Sequence, residues 1–559
     1  MGSAAEDAAR PPGTPDDVVI TREPPEPVTD TTLGIPVTVR GEGTPRHRLV
    51  TIGDSLTQGF QSLAVGDTSL SYPAMIAWEL GIQRDFRFPT YEGFGGIPLN
   101  LEWLLRGLEA ETGPTLQFWE TVRVFLAARR LLERHEDFWE RGAGSRVPRV
   151  PWIYDNLAVY GWDLRDVLSL DADFLRARLV EPSDDLLDAL PENADKLAGL
   201  RVLDSARTAD GAAMTPLEAA ARLGSEGTIE AGSAGGRDAH GIETMIVWLG
   251  SNNALPTVLS LHVRWSDENF ASLDAKACFS VWRPEHFKAE LAEVAKSVRG
   301  IRARHVLWGT VPHVTIAPLA YGVGGKLAPG SRFFRFYVRP WVDERAFLAH
   351  PDRYPRLTGE EARVIDSAID QYNQAIIEEV SAARRLGLDW RVVDLGALFD
   401  SLASRRYIDD RAAQPGWWKE YEMPPEILDE LGGYRPTTWF LRSGPEGVTR
   451  GGLVSLDGVH PTTVGYSLIA QEFLRAMVDA GVHFAGAGGG PAATPRIDFR
   501  RAVRADTLLT RPLDSLTSSL DLLGWLDDRF SLIARAERAM RYRRTCPGDR
   551  RDAGAPASN

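Results

Sequence analysis

Five short runs rich in apolar and β-branched residues recur along this chain, and long stretches, several with helical spacing, separate them. The runs are Arg48-to-Ile52, Ile153-to-Val159, Met245-to-Leu249, His305-to-Thr310 and Trp390-to-Leu395. Between them, Glu285 to Val298 and Ala362 to Ala383 carry apolar residues at three- and four-residue spacing, the period of an amphipathic helix. A strand that is apolar almost without alternation needs cover on both faces. Strands of this kind alternating with helices imply a parallel sheet between two helical layers, so the expected fold class is α/β, an α/β/α sandwich. In such sheets functional groups collect beyond the carboxyl ends of the strands. The residues just past each run are therefore where chemistry is to be sought.

Past the first run stands Gly53-Asp54-Ser55-Leu56-Thr57-Gln58-Gly59. A serine placed where a buried strand ends and glycines allow a sharp turn is exposed yet rigidly held, which suits a nucleophile. The segment is not a Gly-x-Ser-x-Gly elbow, because position 57 is threonine. Far downstream lies Ser455-Leu456-Asp457-Gly458-Val459-His460-Pro461-Thr462. An imidazole can take the proton of a serine hydroxyl, and a carboxylate on its other nitrogen holds the required tautomer. Asp457 and His460, three residues apart on one turn, form a preassembled acid–base pair. Thr462 is placed to cap a helix begun by Val464-to-Ala470.

Together these two segments resemble the first and last sequence blocks of the SGNH (GDSL) hydrolases, a family of serine esterases. Two further blocks occur in the family's order. Asn156-Leu157-Ala158-Val159-Tyr160-Gly161 resembles the second, and Thr244-to-Asn253, ending Gly250-Ser251-Asn252-Asn253, resembles the third. The resemblance implies a flavodoxin-like α/β/α sandwich and an ester hydrolase that needs no cofactor and no metal. In it Ser55 is the nucleophile, His460 the base and Asp457 its orienting partner. The Ser55 N–H, the Gly161 N–H and the Asn252 side-chain amide would hold the oxyanion. Asp54 would shape the turn and take no part in proton transfer. The implied partner is a small-molecule or lipid ester. Lipases, thioesterases, carbohydrate O-deacetylases and acyltransferases share this apparatus, and a non-catalytic binding or scaffold protein can retain the fold.

Three departures stand out. Tyr160 occupies a place where the family often has proline, Trp162 one where small residues are common, and Asn253 replaces the usual aspartate. Gly93, Gly95 and Gly96 rival Gly161 for the second block. Gly161 is preferred because it ends a strand-like run and precedes a helix-like one, Asp163 to Leu170. His313, just past the fourth run, reads as a loop histidine or a residue lining the site.

At 559 residues, with 43% hydrophobic and 25% charged residues, the chain has the composition of a large globular protein. A net charge of −14 disfavours nucleic acid as a partner. Cys278 and Cys546 lie far apart and suggest no disulfide framework. No Cys-x-x-Cys or His-Glu-x-x-His pattern indicates a metal. No run is long enough for a transmembrane segment, and the start has neither a basic region nor an apolar core of a leader, so a cytoplasmic location is expected.

The expected organisation has an extended or disordered segment at 1–46 and a hydrolase domain at 47–483. That domain carries insertions near 97–151, 180–240, 319–355 and 407–450. A linker at 484–496, a C-terminal helical segment at 497–541 and a disordered tail at 542–559 follow. The insertions are rich in aromatics, including Trp103, Trp119, Phe333, Phe334, Trp341, Trp417 and Trp439. Stripes of this kind pack on a core, or else form a lid or acyl groove.

Overall fold

The computed structural model describes residues 10–21, 23–39, 43–113, 121–182, 190–229, 240–484 and 495–514, together with 516 and 524. Four parallel strands form the central sheet: β1 (His47–Gly53), β2 (Ile242–Trp248), β3 (Ala303–Gly309) and β4 (Trp390–Val393), hydrogen-bonded in that order. The register sets Val50 beside Met245, Val247 beside Trp308 and Trp308 beside Val392.

Alternation along each strand divides the apolar side chains between two cores. Val50, Ile52, Met245, Val247, Val306 and Val392 pack with helices Pro216–Gly224, Pro284–Arg299 and Gly359–Arg385. Leu49, Ile246, Trp248, Leu307 and Val393 pack with helices Tyr72–Glu79, Leu395–Leu402 and Thr463–Asp479. Helices thus cover both faces, which is why the strands read as continuous apolar runs.

The second expected strand, Ile153-to-Val159, is the exception. It runs parallel beside β1 through a single bridge, Thr51 to Asn156. Thr51 N–H donates to Asp155 O at 2.8 Å and Leu157 N–H to Thr51 O at 2.9 Å. Val159 N–H continues the pairing to Gly53 O at 3.3 Å, while the Ala158 N–H, on the outer edge, donates to the Asn156 side chain at 3.1 Å. With this segment included the spatial order is second, first, third, fourth, fifth, so the order of the chain reverses on either side of β1.

At the opposite edge, the N-terminal segment is extended and covers β4. Val392 N–H donates to Thr31 O at 3.0 Å, Val28 N–H to Asp394 at 2.8 Å, and Thr21 bonds Ser367 and Asp370 on helix Gly359–Arg385. An otherwise open strand edge is thereby paired.

The insertions carry their own elements. Helices Leu101–Thr112 and Thr121–Glu140 pair in the first, and an antiparallel sheet of Tyr321–Lys326, Phe334–Val338 and Leu357–Thr358 forms in the third. Phe333, Tyr337 and Phe440 are buried in the main core, so these aromatics pack inward. Cys278 is disulfide-bonded, which corrects the expectation from cysteine spacing: distance along a chain does not limit distance in space. Its partner lies outside the described residues, as do Trp119, most of the 484–496 linker, most of the expected C-terminal helical segment beyond Asp514 and the tail; the described part of that segment holds helices Phe499–Ala505 and Thr507–Thr510. Among the described residues no helix is long and apolar enough to cross a membrane.

Candidate functional site

β1 ends at Gly53 under a constraint that only glycine meets. A Cβ there would stand 2.1 Å from Thr57 Oγ1 and 2.9 Å from the Trp248 carbonyl. Asp54 then caps the one-turn helix Ser55–Gln58, its side chain accepting the Leu56 N–H at 3.0 Å. Ser55 occupies the first position of that helix, where the backbone ladder supplies no acceptor for its N–H.

The distant segment arrives beside this turn. His460 Nε2 lies 2.9 Å from Ser55 Oγ, and His460 Nδ1 lies 3.0 Å from Asp457 Oδ2. An ionised carboxylate only accepts, so Nδ1 carries the proton and Nε2 is free to accept from the serine hydroxyl. Asp457 is itself held on three sides: Oδ1 accepts the N–H of Val459 (2.9 Å) and His460 (2.8 Å), and Oδ2 accepts that of Leu63 (2.8 Å). Burial pushes the Asp457 carboxyl up, but His460 and these N–H donors outweigh it, so its pKa lies below the ordinary value.

Sequence reasoning missed the turn that carries Leu63. Ser62 (φ 52°) and Leu63 (φ 68°) both occupy the left-handed region, an uncommon and strained conformation for such residues. The turn persists because Ser62 N–H donates to Ser455 Oγ at 2.8 Å and Tyr466 donates to Phe60 O at 2.6 Å. The Phe60 ring packs 4.6 Å from the imidazole of His460, centroid to centroid.

Asp54 is buried against the same histidine, and its Oδ2 has no hydrogen-bond partner. Burial pushes its carboxyl up to about 7, with the Leu56 N–H and His460 opposing.

Of the expected oxyanion groups, Gly161 and Asn252 share one cavity, whose lining does not include Ser55. Gln58 Oε1 accepts the Tyr160 N–H at 2.8 Å, which fastens the 156–161 segment to the serine's helix. Gly161 follows with φ 77°. Gly161 and Asn252 line one cavity with Tyr160, Trp162, Asp166 and Lys276. One amide hydrogen of Asn252 is committed, since Nδ2 donates to Trp162 O at 2.9 Å. The second is the one left for a ligand. Asn253 is fully buried with neither side-chain polar atom hydrogen-bonded. Gly93, Gly95 and Gly96 belong elsewhere: a Cβ at Gly96 would fall 2.0 Å from the Val65 carbonyl, and one at Gly93 2.5 Å from the Phe138 ring. Their role is close packing.

The cavity's floor had no sequence signal. Lys276 Nζ reaches Asp163 at 2.7 Å and Asp166 at 2.8 Å, across more than a hundred residues. Burial and the Asp163 charge push Asp166 up to about 7 in spite of the lysine. Asp195 also lines this space, and burial raises its pKa.

His313 stands in the loop after β3, as expected, but it takes no part in this site. It is buried with Nε2 2.9 Å from Asp370 and Nδ1 3.1 Å from Asp400. Burial opposes its charge, but Asp400, Asp366 and Asp370 raise its pKa to about 10.

Among the described residues no group of His, Cys, Asp and Glu is arranged to hold a metal ion. In comparisons with known proteins, no family model matches the chain, and no curated protein matches it either.

Proposed function

We propose that this chain is a serine ester hydrolase of the SGNH type, with the Asp155–Val159 segment as the second strand of a flavodoxin-like sandwich. The observation that carries the reading is the unbroken relay Ser55–His460–Asp457, anchored by three backbone N–H groups. Ser55 Oγ attacks the acyl carbon as His460 Nε2 takes its proton, and Asp457 stabilises the imidazolium. The N–H groups of Ser55 and Gly161, with the uncommitted amide hydrogen of Asn252, receive the developing oxyanion. His460 returns the proton to the leaving alcohol, and water clears the acyl-enzyme by the same relay.

A second reading concerns the substrate. The cavity beside Gly161 and Asn252 presents Trp162 and Trp282 together with Asp163, Asp166, Asp195 and Lys276. Buried carboxylates and an ammonium line these walls in place of an apolar groove, so the lining favours a short, polar ester such as a carbohydrate O-acetate over a long-chain lipid ester.

A fluorophosphonate probe followed by peptide mapping tests the main reading. The expected adduct is on Ser55 and is lost in Ser55→Ala. Folded protein without an adduct at Ser55 overturns it and favours a binding protein on the same scaffold. Comparing p-nitrophenyl acetate with the laurate ester separates the two substrate readings.

A further inference from the structure

A second cavity lies apart from the catalytic relay, lined by Arg332, Arg405 and Arg406 with Thr315, Ser404 and Thr438. Arg332 is 4% exposed, and none of its Nε, Nη1 and Nη2 atoms has a hydrogen-bond partner. Its nearest ion-pair contact is distant, 3.9 Å from Nη2 to Asp370 Oδ2. The hydroxyl of Tyr407 is also buried, beside the Arg332 guanidinium.

Arg405 has no carboxylate within ion-pair distance among the described residues. Its Nη2 donates to Gly322 O at 2.7 Å, and its Nη1 is buried without a partner. The rings of Tyr321, Phe334 and Trp439 lie 3.7, 4.5 and 4.7 Å from its guanidinium carbon and hold it in place. Arg406 differs, since it pairs with Asp366 at 2.8 Å and donates to Thr315 Oγ1.

The charges around the cavity do not cancel. Asp366, Asp370 and Asp400 face His313, Arg332 and Arg406, and Lys326 faces Asp410 at 3.4 Å. Arg405 is the surplus cation. A buried guanidinium with its donors unspent is costly, and arginine forks match the oxygens of an oxyanion. The hydroxyls of Thr315 and Thr438 are already donated to Asp366 and Leu402 O, so the unspent donors are those of the two arginine forks, and donors from two separate forks suit the several oxygens of a tetrahedral anion better than a planar carboxylate.

We propose that this cavity binds a phosphoryl oxyanion, with Arg332 and Arg405 as its principal donors. The shared chemistry has two sources, free phosphate and the phosphoryl group of an organic phosphate such as a lipid headgroup. The site uses none of Ser55, Asp457 and His460, so it stands or falls independently of the proposed hydrolase.

Calorimetric titration of the full chain with inorganic phosphate and with glycerol 3-phosphate, at ionic strength held constant with chloride, tests it. Saturable binding at one site is expected. Loss of charge-assisted bonds in Arg405→Gln should weaken it about tenfold or more, and Arg332→Met should remove it. Should Arg332→Met fail to fold, Arg405→Gln, less deeply buried, carries the test. Ser55→Ala should bind as wild type does. Tighter binding of glycerol 3-phosphate assigns the site to organic phosphates, and equal or weaker binding to free phosphate. No saturable binding of either anion, or unchanged affinity in Arg405→Gln, overturns the proposal.

Discussion

Replacing Asp457 with asparagine keeps the shape of the relay and removes its logic. If the new amide oxygen takes the place of Oδ1, it keeps the N–H groups of Val459 and His460, at 2.9 and 2.8 Å. The NH2 group then meets the Leu63 N–H and His460 Nδ1, where the native contacts are 2.8 and 3.0 Å. The flipped amide sets its NH2 against two backbone donors instead of one. Each orphaned buried N–H costs about 1–3 kcal/mol, so the first arrangement prevails by roughly that amount. In it His460 relieves the remaining clash only by presenting a lone pair at Nδ1, which moves its proton to Nε2. That nitrogen can no longer accept from Ser55.

The penalty in a serine protease with the same wrong tautomer is about 10⁴ in turnover, on the order of 5 kcal/mol of barrier. A loss of that order is expected here, with a stability loss of about 1–3 kcal/mol from the orphaned Leu63 N–H. The assay is the second-order rate of fluorophosphonate labelling at Ser55, read beside the urea midpoint. Labelling within tenfold of wild type by the folded variant refutes the reasoning. Ser55→Ala should abolish labelling with little change in midpoint.

Three further outcomes follow from the geometry. His47 bridges Asp155 (2.8 Å) and Glu226 (3.0 Å); burial opposes its charge, but the two carboxylates raise its pKa from 6.5 to about 9. A raised histidine stabilises fully below 6.5 and loses that contribution as pH rises through 9, a change on the order of 3 kcal/mol. Urea melts at pH 6 and 9.5 should show a smaller alkaline loss in His47→Gln, and an equal loss in both proteins contradicts the assignment. Asp54→Asn retains the Leu56 cap but removes a carboxyl that burial pushes up to about 7. Charging Asp54 costs stability as pH rises through that value, so the variant's thermal midpoint should exceed wild type by more at pH 8.5 than at pH 5.5. An unchanged difference argues against a buried charge. Gly53→Ala places a methyl 2.1 Å from Thr57 Oγ1 and 2.9 Å from backbone at Trp248. Overpacking of this kind costs about 1–3 kcal/mol or more, and labelling of Ser55 should fall with it; a variant as stable and as reactive as wild type contradicts the account.

Local pattern made much of the architecture legible. The helices expected at Glu285–Val298 and Ala362–Ala383 are present at Pro284–Arg299 and Gly359–Arg385, because apolar periodicity and caps act within a few residues. The Thr462 cap is likewise in place, its side chain accepting the Gly465 N–H at 3.2 Å. The Ile153-to-Val159 run pairs with β1 over a shorter stretch than its hydrophobicity suggests, from Asp155 to Val159, because the length of a ladder depends on the partner strand as well. His313 is a loop residue as its position past β3 implied, but its burial was not legible because its carboxylate partners, Asp370 and Asp400, come from other elements.

The sequence alone determined which groups carry the candidate chemistry: Ser55 after a strand, Asp457 and His460 on one turn, and the apolar runs that form the sheet. Those are properties of neighbours along the chain. Only the tertiary structure decided that His460 meets Ser55 across 405 positions, that the strained Leu63 fixes Asp457, and that Lys276 reaches Asp163 and Asp166. It also gathered Arg332 and Arg405 around one cavity. Packing of separate elements creates these contacts, and burial then sets the charge and hydrogen-bonding demands that the side chains must meet.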